Sequence, residues 1–139
     1  MRLLDSSPTL VRCVFENNTG SAMFLLRSSA TLEQCGFFDN YSATNGGGMW
    51  LNDSQPTLVA NTFTGNLSGG SSGAIHLQNG SLLTISGSTI CGNGPDQIAG
   101  DGSTTDAGGN CIIEFCDSDG DGVFDCIDQC PGEDDTIDS

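Results

Sequence analysis

The chain has 139 residues, a net charge of −15 and three basic residues, Arg2, Arg12 and Arg27, with no lysine. That balance excludes nucleic-acid binding, which depends on Lys and Arg neutralising phosphates, and docking on anionic lipid headgroups. No apolar run approaches the roughly 20 residues of a membrane span, so membrane insertion is not expected either.

Met1-Arg2-Leu3-Leu4-Asp5 lacks the apolar stretch of a signal peptide. Seven cysteines in a short acidic chain nevertheless point to an oxidising compartment, extracellular or at the cell surface. The two observations are reconciled by expecting an export signal and further coils to precede Met1.

From Leu10 the chain repeats itself. LVRCVFENN, LEQCGFFDN from Leu32, LVANTFTGN from Leu58 and ISGSTICGN from Ile85 share an apolar first position, a small residue three on, a ring or Ile five on, and Asn eight on. The columns are Leu10, Leu32, Leu58, Ile85; Phe15, Phe37, Phe63, Ile90; and Asn18, Asn40, Asn66, Asn93. Successive copies are 22, 26 and 27 residues apart. A unit this short cannot bury its own apolar face and needs copies stacked above and below it.

The three-residue step from Leu10 to Cys13 breaks strict alternation, which places a bend near Arg12, Gln34 and Ala60. The Asn column fits the following corner, because Asn tolerates left-handed backbone and its amide bonds along a stack. Cys13 and Cys35 are expected to point inward on adjacent coils as core packing rather than as metal ligands.

A second apolar segment follows each of the first three copies: Met23-Phe24-Leu25, Met49-Trp50-Leu51 and Ile75-His76-Leu77. Period-two alternation predicts strands with Met23 and Leu25 inward and Phe24, Trp50 and His76 outward. Length variation sits mainly in one turn, where NTGSA becomes NYSATNGGG and NLSGGSSGA. Three flat rings at one-rung spacing are candidate stacking positions for carbohydrate or for another surface protein. The other reading is that a loop or neighbouring domain covers them. His76, the one histidine, is expected to stand alone, since the sequence sets no Ser, Cys or carboxylate beside it.

These repeats resemble the right-handed parallel β-helix, the fold of pectate-lyase-like and many bacterial surface proteins. The rival, the leucine-rich repeat, would continue into a helix or tight apolar turn where this chain has SATNGGG or SGGSSG. The expected fold is all-β: a right-handed parallel β-helix solenoid of about four coils over residues 1–113, then an irregular calcium-binding segment over residues 114–139. Burial of each stacked Leu or Phe contributes about 1.5–3 kcal/mol. Nothing before Leu10 reads as a cap. From Gly92, Pro, Gly and Asp interrupt any regular strand, so this region is read as the closing cap, with Gln97-Ile98 and Cys111-Ile112-Ile113 able to pair with the last coil. Cys91 and Cys111 flank it as a candidate disulfide worth about 3 kcal/mol, although spacing does not fix the connectivity.

Ten of the 18 acids fall from Glu114 onward. Asp117, Asp119, Asp121, Asp125 and Asp128, with Gly122 at the sixth position, follow the layout of a 12-residue calcium loop, in which the Val123 carbonyl completes the cage. Cysteines and Pro131 replace the flanking helices of an EF-hand, and residues 117–131 resemble the thrombospondin type 3 repeat, D-x-D-x-D-G-x-x-D-x-x-D-x-C-P. The resemblance implies calcium ligands at those five aspartates, disulfide ties, and a calcium response confined to this segment.

The β-helix resemblance also implies a possible enzyme, a polysaccharide lyase or glycoside hydrolase. No Arg is placed beside an acidic cluster on a strand face, and Asp39 and Asp53, the one acid pair near common coils, fall in turns. The function read here is therefore non-catalytic: a calcium-binding extracellular protein with an adhesive, carbohydrate-binding or spacer role. Five N-x-[ST] sequons, at Asn17, Asn40, Asn52, Asn66 and Asn79, carry no weight in a chain so rich in Asn, Ser and Thr.

Overall fold

The computed structural model describes residues 1–117, Gly120 and Cys126. Three parallel sheets, each five strands deep, run the length of a β-solenoid, and no helix occurs among the described residues. The first sheet stacks Arg2–Leu4, Met23–Leu26, Met49–Asn52, Ile75–Gln78 and Ile98–Gly100. The second stacks Thr9–Val11, Thr31–Glu33, Thr57–Val59, Leu82–Ser86 and Ser103–Asp106; the third stacks Val14–Glu16, Gly36–Phe38, Thr62–Thr64, Thr89–Cys91 and Cys111–Ile112.

Like residues lie in register from coil to coil. Leu32 pairs with Leu10 and Leu58, and Leu58 with Ile85. Phe37 stacks between Phe15 and Phe63, with ring centroids 4.8 and 4.4 Å apart and planes within 12°. Met23, Leu25, Met49, Leu51 and Ile75 are fully buried from the first sheet.

Single residues in left-handed conformation turn the chain between sheets. Asp5, Arg27, Asp53 and Asn79 (φ 47 to 54°) separate the first sheet from the second; Arg12, Gln34 and Ala60 (φ 53 to 55°) make the expected second bend, continued by Gly87. The third bend falls on Asn17, Asp39, Gly65 and Gly92, one residue before the Asn column, so the left-handed role predicted for that column belongs to its predecessors. Left-handed backbone costs a non-glycine residue about 1–2 kcal/mol. Inter-coil bonds hold it there: Arg12 N–H donates to the Glu33 carbonyl at 2.9 Å and Gln34 N–H to that of Val59 at 3.0 Å.

Polar ladders line the inside of each corner. Ser28, Ser54 and Ser81 hydroxyls accept the backbone N–H of Ser6, Ser28 and Ser54. Asn61 Oδ1, Ser88 Oγ and Asn110 Oδ1 accept from Cys35, Asn61 and Ser88 at the second corner. At the third, Asn18, Asn40, Asn66 and Asn93 each donate Nδ2–H to the next amide oxygen, ending on Gln97 Oε1. Buried polar groups are costly unless paired, and stacking pairs these with copies of themselves.

The structure corrects the expected ends. Arg2–Leu4 is a strand that pairs with Phe24, Leu25 and Leu26, so the stack begins before Leu10. Residues 98–112 make a fifth, three-stranded winding, including Ser103–Asp106 paired on Leu82–Ile85. Ile98 and Cys111-Ile112 pair with the preceding coil as expected, and the apolar pattern misses only the strand between them, Ser103–Asp106, whose four residues are all exposed and polar. The disulfides are Cys91–Cys116 and Cys111–Cys126, not Cys91–Cys111. Cys91 and Cys111 are end residues of neighbouring third-sheet strands, and each is bonded to a cysteine of the following segment.

Candidate functional site: an outer groove on the first sheet

Alternation in the first sheet turns Phe24, Trp50 and His76 outward in one register column. Each ring meets the next edge-on: Phe24 and Trp50 at 5.4 Å and 84°, Trp50 and His76 at 6.0 Å and 79°. All three are half-buried. Beside them run the turns of variable length, residues 18–22, 40–48 and 66–74, which link the third sheet back to the first. Tyr41–Ser42 and Leu67–Ser68 pair as a small parallel ribbon that stiffens this ridge.

Sheet and ridge enclose an open groove of about 680 Å³. Arg2, Phe24, Trp50, Asn52 and Gln78 line the sheet side; residues 20–21 and 42–44 line the ridge side. The Arg2 guanidinium lies 5.5 Å from the Phe24 ring centroid, and Trp50 Nε1–H donates to Gln78 Oε1 at 2.9 Å. The groove thus offers two aromatic rings one rung apart, flanked by amides, hydroxyls and one cation, with no carboxylate among its lining residues.

His76 belongs to the same column but not to the groove lining. Ser71 Oγ lies 3.0 Å and Ser72 Oγ 3.4 Å from its Nδ1, which corrects the expectation of an isolated histidine. The Ser-rich turn gave no periodic signal to align these hydroxyls with His76 beforehand. Gly46 (φ +61°) folds against the Met49 carbonyl, which a Cβ would overlap, and this turn also passes His76, whose Cβ would stand 3.2 Å from it. Burial holds the imidazole below the ordinary histidine range, and the Asp101 carboxylate opposes that shift.

The family described as a right-handed β-helix region matches residues 3–126. The chain belongs to the right-handed β-helix family. No match to it was found among curated proteins or among solved structures.

Within this β-helix, the residues weighed for catalysis are dispersed. Asp39 and Asp53 occupy different corners, one after the third sheet and one after the first. Arg27 is bound by Asp5 through Nε and Nη2, at 2.7 and 2.9 Å, on the exposed corner. Ser71 sits against His76, but its hydroxyl also reaches Asn45 Oδ1 at 3.2 Å, and its N–H donates to the same oxygen at 2.9 Å.

Of the expected calcium ligands, only Asp117 is among the described residues. Its Oδ1 accepts the Gly120 N–H at 2.7 Å, with Gly120 at φ +79°. Asp119, Asp121, Val123, Asp125 and Asp128 lie outside the described residues, among which no group of three His, Cys, Asp or Glu gathers as a metal site. The loop is tied to the coils just before its start and near its end: Cys116 to Cys91 with Cα atoms 5.0 Å apart, and Cys126, within the loop, to Cys111 at 5.8 Å. Of the sequons, Asn40 and Asn66 are fully buried in the ladder, whereas Asn17 and Asn79 are exposed at corners.

Proposed function

We propose that this β-helix is a non-catalytic, extracellular or cell-surface protein that binds carbohydrate in its outer groove and calcium in its C-terminal segment. The observation that carries the carbohydrate reading is the pairing of Phe24 and Trp50 on the floor of an open groove edged by Asn52, Gln78 and Ser42. Aromatic faces take the apolar faces of sugar rings, and amides and hydroxyls take sugar hydroxyls. The absence of acids from the groove lining, in a chain with 18 of them, supports binding over acid-catalysed hydrolysis.

The calcium reading rests on the spacing of the five aspartates and on the Asp117–Gly120 hydrogen bond beside the Cys91–Cys116 disulfide. Asp117, Asp119, Asp121, Asp125, Asp128 and the Val123 carbonyl would hold the ion, whose charge offsets the mutual repulsion of the carboxylates. The two disulfides support an oxidising compartment.

Trp50 is the single tryptophan, so its emission reports on the groove alone. Titration with soluble neutral and acidic polysaccharides is expected to shift that emission saturably for at least one class, and Trp50→Ala to abolish retention on the corresponding affinity gel. A complete panel without a saturable shift would sink the carbohydrate reading.

The enzymatic alternative has the Ser71–His76 contact on its side. Its test is turnover: release of new reducing ends or unsaturated products from the same panel, lost in Ser71→Ala.

A further inference from the structure

Cys13 and Cys35 are thiols, whereas Cys91, Cys111, Cys116 and Cys126 are paired. The two free cysteines occupy equivalent places on adjacent coils, each just after a left-handed corner residue, Arg12 or Gln34. Inter-coil bonds bracket the pair. Arg12 N–H donates to the Glu33 carbonyl at 2.9 Å on one side, and Gly36 N–H donates to the Cys13 carbonyl at 2.9 Å on the other. Val14 and Gly36, the next residues, are register partners.

That bracketing sets the two Cα atoms at the spacing of neighbouring strands, about 4.8 Å. It falls within the range of about 4.4–6.8 Å that a disulfide tolerates and beside the 5.0 Å of Cys91–Cys116. The two thiols also lie the same way on their coils. Each is near the carbonyl two residues before it, Cys13 Sγ to Val11 at 3.6 Å and Cys35 Sγ to Glu33 at 3.5 Å, and Cys35 Sγ lies equally near the Leu10 carbonyl of the preceding coil at 3.5 Å.

We propose that Cys13 and Cys35 are a thiol pair that closes into a cross-rung disulfide, covalently clamping the first coil to the second. The co-reactant is a low-molecular-weight disulfide. Cys13, half-buried, is the accessible member, and its thiolate attacks one sulfur of that disulfide and releases one thiolate. Cys35, buried beneath it, then gives its proton to solvent and attacks the Cys13 sulfur, forming the protein S–S bond and releasing the second thiolate. Two protein thiols and one small disulfide become one protein disulfide and two small thiols. Burial raises the Cys35 thiol above the ordinary range, and the adjacent Cys13 side chain adds to that shift, which suits it to the second step rather than the first.

The clamp has a place to act. It would tie Thr9–Val11 and Val14–Glu16, whose first and last residues are exposed, to their partners Thr31–Glu33 and Gly36–Phe38 on the second coil.

The test equilibrates the full chain in glutathione buffers of increasing oxidised fraction, quenches with acid, and combines denatured thiol counting with non-reducing peptide mapping. The expected result is the joint loss of two thiols and a cross-linked peptide joining the segments around Cys13 and Cys35. In Cys13→Ser, which alters the less buried member, Cys35 should remain a thiol throughout. Glutathione retained on Cys13, a bond from either cysteine to Cys130 or to a second chain, or two thiols persisting in fully oxidised buffer would each overturn the proposal.

Discussion

Asn40 and Asn66 stand one above the other inside the third corner, with Asn40 Nδ2 donating to Asn66 Oδ1 at 2.8 Å while the Asn40 backbone N–H reaches the same oxygen at 3.2 Å. Asn66 in turn donates to Asn93 Oδ1 at 2.8 Å and to the Phe37 carbonyl at 2.9 Å. Each asparagine thus bonds to groups on both neighbouring coils, with Asn40 and Asn66 fully buried.

Asn66→Ala removes the acceptor of the Asn40 backbone N–H and one partner each from Asn40 Nδ2, the Phe37 carbonyl and Asn93 Oδ1, while Asn40 Nδ2 keeps the Phe15 carbonyl and Asn93 Oδ1 keeps the residue-66 N–H. An orphaned buried group costs about 1–3 kcal/mol, so the loss should be about 2–3 kcal/mol in urea unfolding. Asn18→Ala, at the exposed end of the same ladder, should cost about 1 kcal/mol. Equal costs at the two positions would mean that burial does not set the ladder's contribution.

Phe37→Ala empties the middle of the ring stack, between Phe15 and Phe63. Truncation of a buried Phe costs about 3–5 kcal/mol. Phe15→Ala, at the half-buried end of the column, should cost less, and the pair is compared by denaturant midpoint.

His76 gives the stability a pH dependence of defined sign. The folded imidazole sits below the ordinary value of 6.5, chiefly through burial, so unfolding takes up a proton between the two values. Its contribution is therefore complete above about pH 6.5 and declines as pH falls from there toward the folded value. Asp5, held down by Arg27, and Asp106, held down by the Gly108 N–H, act in a separate window: their contributions fade only as pH falls below about 3.8. The urea midpoint should fall between pH 7.5 and 5.5 in the parent chain, and that part of the slope should vanish in His76→Gln.

Calcium removal is expected to lower the unfolding temperature, and Asp119→Asn with Asp121→Asn to abolish the difference. At calcium a hundredfold above its dissociation constant the stabilisation would be about 2.7 kcal/mol. The effect should extend past the acidic segment, because Cys116 is bonded to Cys91 of the fully buried core. Hydrogen exchange at Thr89–Cys91 should slow with calcium; an unchanged rate there would confine the response to the segment itself.

The stacked architecture could be read from the chain because its determinants recur in each copy. Leu32 and Leu58, Phe37 and Phe63, and Asn40 and Asn66 carry the same instruction at the same offset, and the bend at Arg12, Gln34 and Ala60 follows from a broken alternation. Ser103–Asp106 escaped that reading because its four exposed polar residues carry no apolar signature, whereas Arg2–Leu4 is too short for a pattern although Leu3 stands in the Leu25 column and packs on the core. What the third dimension alone decided was proximity between segments without a shared pattern: Ser71 against His76, Cys91 against Cys116, and the turns that raise a wall beside Phe24 and Trp50. Those contacts depend on where each turn comes to rest after the strands have locked, and Gly- and Ser-rich turns carry no periodicity from which that position could be inferred.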